Sequence, residues 1–511
     1  MLERFMRANV SRWQGVYDRF PSPARSVLAS ARGLFLSQMR YAPETFSILR
    51  ILRAHERWSV EEIAAHQMNA LRETIGNARR NVPHYANYAR GEIRAFADLR
   101  RPPVLERETV RQNHEQFLSS STPPRQRIRA GTTGTTGGNL RVAFTEELAR
   151  ANWACLLRQW AWAGVVAQQP RVTLFGARVV PAGCSSPPYW VHNLPERQIL
   201  MSIFHLAEKT APQYLAFLHK QEGKILEGFP SVLGILADFA ADRRESFPMR
   251  TIFTSGEPLY PAARAKIESA FQCKVFDSYG MTEYCGLIHE CAHGQMHLVP
   301  EFGYLEILDE GEQPVAEGEE GFFVWTGFLN RAMPLIRYRI GDRGRWLHGS
   351  ACECGLKFPL VIPTITRESE ILHCPDGRLF SPRALNQLLK DATSLRFCQF
   401  VHDGPERVIV RAVSANLSAN GRAFEEMMLI RSKLQNLLGD GMRVTAEIAA
   451  EPLVRPGGKI PLIINIGNAA DLETRGDSES EPNSREPVDR NNSFDKENAM
   501  EARNEMNRVP Q

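Results

Sequence analysis

The sequence predicts an α/β protein: a large N-terminal domain of βα units with a β-rich part, followed by a small α+β C-terminal domain. Three observations carry this reading. Short apolar runs at 172–175, 251–254 and 274–277 alternate with amphipathic stretches of helical period at 231–241 and 261–271. At 511 residues the chain is longer than a single hydrophobic core sustains. Beyond Ile371 the pattern becomes smaller. Runs at 397–402 and 407–413 bracket Asp403-Gly404 as a hairpin, Phe424, Met427, Ile430, Leu434 and Leu437 fall at helical spacing, and 442–448 returns as a strand.

Taken in chain order, residues 1–80 read as a helical N-terminal segment. Its first 58 residues are rich in arginine and read as an amphipathic layer on the body of the protein, with contact to an anionic membrane face as the alternative. Residues 81–366 form the large domain. Its β-rich part, with runs at 304–308 and 322–326, is split by an acidic, turn-rich loop. Residues 371–466 form the small domain. The tail, 467–511, is dominated by Asp, Glu, Asn, Ser and Arg, has Phe494 as its one aromatic residue, and is expected to be disordered.

Charge and hydropathy narrow the function classes. Hydrophobic residues make up 43% of the chain and charged residues 23%, the balance of a globular protein. No apolar run approaches the ~20 residues of a membrane helix, and the start lacks the apolar core and cleavage site of a secretory signal. A cytoplasmic location is therefore expected. The tail holds 11 acidic and 6 basic residues, a net of −5, so the body carries +4 − (−5) = +9. That charge suits small anionic ligands. It does not suit nucleic acid, because the basic residues form no dense run and no recognition motif accompanies them.

The richest stretch is Gly131-Thr132-Thr133-Gly134-Thr135-Thr136-Gly137-Gly138. Glycines let successive backbone N–H groups converge on an anion, and threonine hydroxyls add donors, so the run reads as a phosphate cradle. No Gly-Lys-Ser/Thr ends it, which sets it apart from a Walker A loop. Downstream, Thr254-Ser255-Gly256-Glu257-Pro258-Leu259 follows one predicted strand and Tyr279-Gly280-Met281-Thr282-Glu283 follows the next. Ligands of open α/β sheets gather at the carboxyl ends of strands. An aromatic ring, a hydroxyl and a carboxylate placed there suit a purine nucleotide and its metal. Arg337-Tyr338-Arg339-Ile340-Gly341-Asp342 and Gly457-Gly458-Lys459 complete the set.

This ordered set, with Asn77, Ala78, Arg79, Asn81, Val82, Pro83, Tyr85 and Pro103-Val104-Leu105 ahead of it, resembles the phenylacetate-coenzyme A ligase family, including its capsule-biosynthesis branch, within the adenylate-forming superfamily. The resemblance runs from Leu71 to Ile466. The chain departs from the family pattern in places: the loop ends in Gly138-Asn139, Ile340 stands where the family has threonine, and Thr366 and Glu370 stand where its hinge has glycine and aspartate. The resemblance implies a large adenylate-forming domain, a hinge at 367–370 and a mobile C-terminal lid. It also implies ATP-dependent activation of a carboxylic acid through an acyl-adenylate, then transfer to coenzyme A. Transfer to an amine, hydroxyl or carrier protein is the alternative, and a non-catalytic nucleotide-binding homologue is the alternative class.

Residue roles implied by the resemblance follow the charge to be managed. Thr132, Thr133, Gly134, Thr135, Thr136 and Gly137 hold the ATP phosphates, and Glu283 ligates Mg2+, a hard cation that prefers oxygen. Tyr279 stacks on adenine, with Gly256, Glu257 and Pro258 as the other wall. Asp342 accepts from both ribose hydroxyls. Lys459 sits as a point charge between the incoming carboxylate and the α-phosphate. Arg367 matches the arginine of the hinge segment, with a catalytic role, and Glu370 takes the place of the hinge aspartate.

Nine cysteines without a secretory signal argue against a disulfide framework. Cys291 and His297, spaced C-x5-H, and Cys352 and Cys354, spaced C-x-C, form a candidate set for a structural tetrahedral Zn2+. His289 and His293 compete for the histidine position, and Cys285 is nearby. Cys155, Cys184, Cys273, Cys374 and Cys398 read as small apolar fillers.

Overall fold

The computed structural model describes residues 17–88, 91–132, 140–181, 184–347, 352–364, 372–375, 379–380, 385, 387–389, 392, 394–404, 406–414, 420–439, 441–454 and 460–466. Among the described residues, the N-terminal segment forms three helices. α1 (Ser22–Arg40) and α2 (Pro43–His55) each carry proline in the first turn, where its missing N–H costs no hydrogen bond. α3 (Val60–Asn81) opens with a capping box. Ser59 Oγ accepts from the Glu62 N–H at 3.2 Å, and Glu62 Oε2 accepts from the Ser59 N–H at 2.8 Å. Its buried face, Ile63, Gln67, Leu71, Thr74, Ile75 and Ala78, keeps the helical period, and Val82-Pro83 ends it.

Strand β1 (Leu105–Glu106) leads into α4 (Arg107–Gln112). Strands β2 (Ile128–Thr132) and β3 (Leu140–Phe144) pair antiparallel up to Thr132↔Leu140, so the glycine–threonine run joins the arms of a hairpin. α5 (Glu146–Trp162) starts on Thr145, whose side chain accepts from the Leu148 N–H, with Glu146 and Glu147 in the first turn complementing the dipole. Then come β4 (Arg171–Leu174), β5 (Trp190–Asn193), β6 (Gln198–Met201), α6 (Ala211–His219), β7 (Ile225–Gly228), α7 (Pro230–Asp242), β8 (Thr251–Ser255), α8 (Pro261–Phe271) and β9 (Val275–Gly280). β6, β4, β7, β8 and β9 pair in parallel, with α6, α7 and α8 connecting β6 to β7, β7 to β8 and β8 to β9. β4 is buried along its whole length, as expected of a parallel strand covered on both faces.

The sheet then changes character. β10 (Leu287–Glu290), β11 (Met296–Leu298), β12 (Gly303–Leu308), β13 (Gly321–Gly327), β14 (Tyr338–Leu347) and β15 (Leu360–Pro363) join it antiparallel, in the order β12-β13-β14-β15-β11-β10-β9-β8-β7-β4-β6-β5, with β1 parallel to β14. This antiparallel half is the β-rich part read from the sequence. β9 runs farther than expected. Tyr279 and Gly280, read as loop, lie in the strand because β10 returns beside them, pairing Ile288↔Tyr279 and Leu287↔Gly280.

The outer strand β5 would expose a row of unpaired backbone groups, and α1 covers it. Ser26 Oγ accepts from the His192 N–H at 3.2 Å. Ser30 Oγ donates to the His192 carbonyl and accepts from the Leu194 N–H, both at 3.1 Å. Gly33 permits this closeness: a Cβ there would lie 1.7 Å from Asn193 Oδ1.

The C-terminal region has its own core. β16 (Leu372–His373) and β17 (Leu379–Phe380) form a small ladder. β18 (Leu395–His402), β19 (Arg407–Ser414), α9 (Asn420–Leu438), β20 (Arg443–Ala449) and β21 (Ile463–Asn465) build a sheet ordered β20-β19-β18-β21. The helix face is the expected one at Met427, Ile430 and Leu434, with Leu437 partly buried, and differs at its ends. Ala423, Met427, Ile430, Leu434 and Leu438 are buried, whereas Phe424 is 50% exposed. Both sets keep helical spacing, and packing on the sheet selects the first. The architecture is thus a large α/β N-terminal domain with a smaller C-terminal region.

One buried acid makes stability depend on pH. Asp277 on β9 accepts from Thr254 Oγ1 on β8 at 2.7 Å. Burial pushes its pKa up from 3.8 to about 7, with Glu290 adding to the rise and the Thr254 bond and Arg264 opposing it. Between those values the unfolded chain releases the proton and the folded chain retains it. This group's stabilisation is therefore lost as pH rises from ~4 to ~7, at about 1.4 kcal/mol per unit. Asp277→Asn is expected to flatten the fall of the thermal midpoint between pH 5 and 7, and parallel wild-type and variant curves would refute the assignment.

Candidate functional site

Of the residues singled out by the sequence, Gly256, Glu257, Pro258, Tyr279, Glu283 and Asp342 lie where β8 and β9 end or on β14 beside them. Glu257, just beyond β8, does not point into open space. Its Oε2 accepts from the Ser231 N–H at 3.0 Å. Because Pro230 has no N–H, Ser231 offers the first donor of α7, and the carboxylate complements the helix dipole there. Gly256 and Pro258 flank it, exposed and half-buried.

Glu283 follows β9 in a turn closed by the Tyr284 N–H to the Met281 carbonyl at 3.1 Å. It is 3% exposed and accepts at Oε1 from Arg107 Nη1 at 2.8 Å and from the Tyr338 hydroxyl at 3.2 Å. Register explains the meeting. β1 lies parallel to β14 with Leu105↔Tyr338 and Glu106↔Arg339, so the next residue, Arg107, arrives beside the Tyr338 ring. Burial, and then the Glu283 carboxylate, raise the Tyr338 pKa well above its ordinary value, so this hydroxyl remains a donor.

Asp342 sits in a bulge. From Val324↔Arg339 to Phe322↔Arg343, β14 advances four residues while β13 advances two. Gly341, at φ +90°, supplies the conformation the extra residues need. The bulge turns Asp342 inward, and its Oδ2 accepts from the Tyr279 hydroxyl at 2.7 Å. The Tyr279 ring packs against Trp325 and Phe323, with centroids 6.3 and 5.7 Å away, and the residue is 5% exposed. The rest of the motif is structural: Arg337 is buried on Glu306 at 3.0 Å, and Arg339 lies over Phe322 and bonds Glu106 at 3.2 Å.

Thr132 is placed as the last residue of β2. Thr133, Gly134, Thr135, Thr136, Gly137, Arg367, Glu370 and Lys459 lie outside the described residues. The flanks of the Lys459 segment are described, and one side chain ties them together. Gln399, on β18 and 1% exposed, donates to the Leu453 and Pro461 carbonyls, each at 2.9 Å, and accepts from the Leu453 N–H at 2.7 Å. Neither Gln399 nor Arg107 carries a sequence signal, since each acts on a partner far along the chain. Tyr338 stood inside a recognised motif and was legible.

A second cluster brings Cys291, His297, Cys352 and Cys354 together, with their ligand atoms within 4.8 Å of one another. Cys291 follows β10, His297 lies on β11, and the other two precede β15, which pairs with β11 at His297↔Leu360. The Cys291 and Cys352 sulfurs are 3.6 Å apart, and Cys354 Sγ lies 3.3 Å from His297 Nε2. His297 Nδ1 faces the Phe358 carbonyl at 3.1 Å, so that nitrogen carries the proton and Nε2 keeps its lone pair for a metal. Burial, with Cys352 and Cys291 adding, pushes the Cys354 thiol up to about 12. Three sulfurs and one imidazole converging in this way form a fitting donor set for a tetrahedral ion. The competing residues stand apart. His289 is buried against Trp162 and held down to about 3 by burial, and His293 is exposed beside Glu353.

Comparison with known proteins places this geometry. The AMP-binding enzyme family matches residues 193–327. The CapK protein of Staphylococcus aureus is 22% identical over 465 residues, 88% of this chain and 98% of that protein. The phenylacetate-coenzyme A ligase of Escherichia coli is 26% identical over 324 residues, 58% and 70% of the two chains. The fold matches a crystal structure of 2-hydroxyisobutyryl-CoA ligase in the postadenylation state with R3-HIB-AMP, at TM-score 0.63 and 18% identity, covering 80% of this chain and 91% of that one. The chain belongs to the AMP-binding, acyl-activating enzyme superfamily. Within that superfamily the convergence of Glu283, Tyr279 and Asp342 falls at the carboxyl edge where open α/β sheets bind ligands.

The bond between Tyr279 and Asp342 gives a direct test of this packing. Tyr279→Phe removes a buried hydrogen bond to a carboxylate, and the expected cost is about 1.5–3 kcal/mol in urea denaturation. A change within error would show that the bond does not hold β14 to β9.

Proposed function

We infer that the chain is an AMP-forming ligase that activates a carboxylic acid with ATP through an acyl-adenylate and passes the acyl group to the thiol of coenzyme A. The observation that carries this reading is the convergence of Glu283 and Asp342, from segments far apart in the chain, on one edge of the sheet beside the loops after β8 and β9. The adenylation half has the support of the AMP-binding match and the fold. Coenzyme A as acceptor, and a place in the phenylacetate-coenzyme A ligase family with its capsule-biosynthesis branch, have the support of the motifs and of the relatives by name.

Attack of a carboxylate on the α-phosphorus brings two anions together and builds more charge on pyrophosphate, so donors and cations must act at separate places. The run from Thr132 to Gly137 holds the phosphates with backbone N–H groups and hydroxyls. Glu283, whose Oε1 is bonded to Arg107 and Tyr338, would hold Mg2+ through its carboxylate, and the ion would supply positive charge to the phosphate oxygens. Asp342 takes the ribose, and Gly256, Glu257, Pro258 and Tyr279 wall the adenine. Lys459 bridges the attacking carboxylate and the α-phosphate, while Arg367 and Glu370 lie in the hinge of the lid. Cys291, His297, Cys352 and Cys354 would hold a structural Zn2+, which would tie the strand after the Glu283 turn to the segment following Asp342.

ATP–pyrophosphate exchange across aryl and aliphatic acids tests the first half. Exchange with no acid defeats the enzyme reading, and exchange without thioester formation moves the acceptor to an amine, hydroxyl or carrier protein. Lys459→Ala is expected to lower adenylation by about 10²- to 10³-fold with ATP binding retained; exchange at the wild-type rate would release Lys459 from this role. Mass spectrometry of the purified protein is expected to find close to one zinc per chain. The paired change Cys352→Ser and Cys354→Ser should remove it and lower the thermal midpoint before it lowers activity.

A further inference from the structure

The helix that covers the sheet edge presents an apolar outer face to solvent. Ser26, Ser30 and Gly33 of α1 face β5, whereas Val27 (68% exposed), Leu28, Leu34 (53%) and Phe35 stand on the opposite side at i, i+1, i+7 and i+8, with exposed Ala31 between them. Leu194, in the β5–β6 turn and 72% exposed, donates its N–H to Ser30 Oγ at 3.1 Å, so this turn adjoins α1. Phe20 precedes it, also exposed. A stripe of this size on water is unfavourable unless something covers it.

Charge selects the occupant. α1 contains Arg25, Arg32 and Arg40 and no Asp or Glu. Arg19 ahead of α1, Arg32 on it and Arg197 in the β5–β6 turn are exposed, while Glu196 in the same turn is buried on Arg171 and Arg40. Residues 1–58 carry ten arginines against Glu3, Asp18, Glu44 and Glu56. A second copy of this chain docked about a two-fold axis would set arginine against arginine. A bilayer bearing anionic headgroups offers an apolar layer and negative charge together, and basic helices with one apolar face lie in that interface. No helix among the described residues is long and apolar enough to cross a membrane.

We propose that the outer face of α1, with the β5–β6 turn, is a docking surface for an anionic lipid bilayer, on which the protein lies peripherally. The surface is separate from the proposed nucleotide site, so the proposal stands whatever acid the enzyme activates.

The full-length protein should sediment with phosphatidylcholine vesicles containing phosphatidylglycerol, and far less with phosphatidylcholine alone or at high salt. The paired change Leu34→Glu and Phe35→Glu is expected to weaken this binding by at least about tenfold while the thermal midpoint and circular dichroism stay at wild-type values. Arg32→Glu, on the helix flank, serves as the second variant should the first misfold, and should weaken binding to anionic vesicles alone. Equal binding to both vesicle types, no binding to either, or binding unchanged in the variants would overturn the proposal. So would a wild-type dimer in sedimentation velocity that the paired change abolishes, because a second copy would then own the face.

Discussion

Strand β9 carries the constraint on which the rest of the site depends. One of its edges pairs in parallel with β8 and the other antiparallel with β10, so it joins the two halves of the sheet. A parallel neighbour requires a helical crossover, and an antiparallel one permits a tight return. Loops from both kinds of connection therefore open at the same end. The turn holding Glu283 is the return itself, and Tyr279 is held by strand pairing, a firmer support than a loop provides.

The site is also bound by the cost of burying charge. A carboxylate taken out of water must find donors, and removing one partner of a buried pair costs about 3–5 kcal/mol. Glu283 is met by Arg107 and Tyr338, and Asp342 by Tyr279. The same rule operates behind the sheet. Arg158, fully buried on α5, grips Glu301 at 2.7 and 3.2 Å while His55 of α2 approaches it at 3.2 Å. Burial alone would raise the Glu301 pKa, yet Arg158 and His55 hold it at about 2. This pairing fastens the N-terminal helices to the antiparallel half.

The edges of the fold follow from backbone hydrogen bonding. α1 places serine hydroxyls on the backbone of β5, so the sheet stops there without an open edge. Meeting that need fixes which face of α1 points inward, and the apolar stripe on the other side is the consequence. In the C-terminal region, Gln399 does comparable work by holding both flanks of the segment with Lys459 to β18.

Strands, helices and the order of the motifs were legible in the sequence because they rest on local periodicity and turn chemistry. The runs at 251–254, 304–308 and 407–413 fall within β8, β12 and β19, and α8 covers 261–271 as read. Cys291, His297, Cys352 and Cys354 were also legible as residue types at suitable spacing. Partnership was not. That β14 carries a bulge at Gly341, that Arg107 reaches Glu283 and that Glu257 caps α7 depend on contacts between separate elements, in the case of Arg107 and Glu283 across 176 residues. The buried face of α9 shows the limit in one helix: Phe424 and Ala423 fit the period equally well, and only the surface of the sheet below decides between them. The sequence by itself determined which elements form and which chemistry they carry, because those follow from neighbours in the chain. The tertiary structure alone decided which charges meet, because that requires the desolvation of one group to be offset by another whose position the chain does not encode locally.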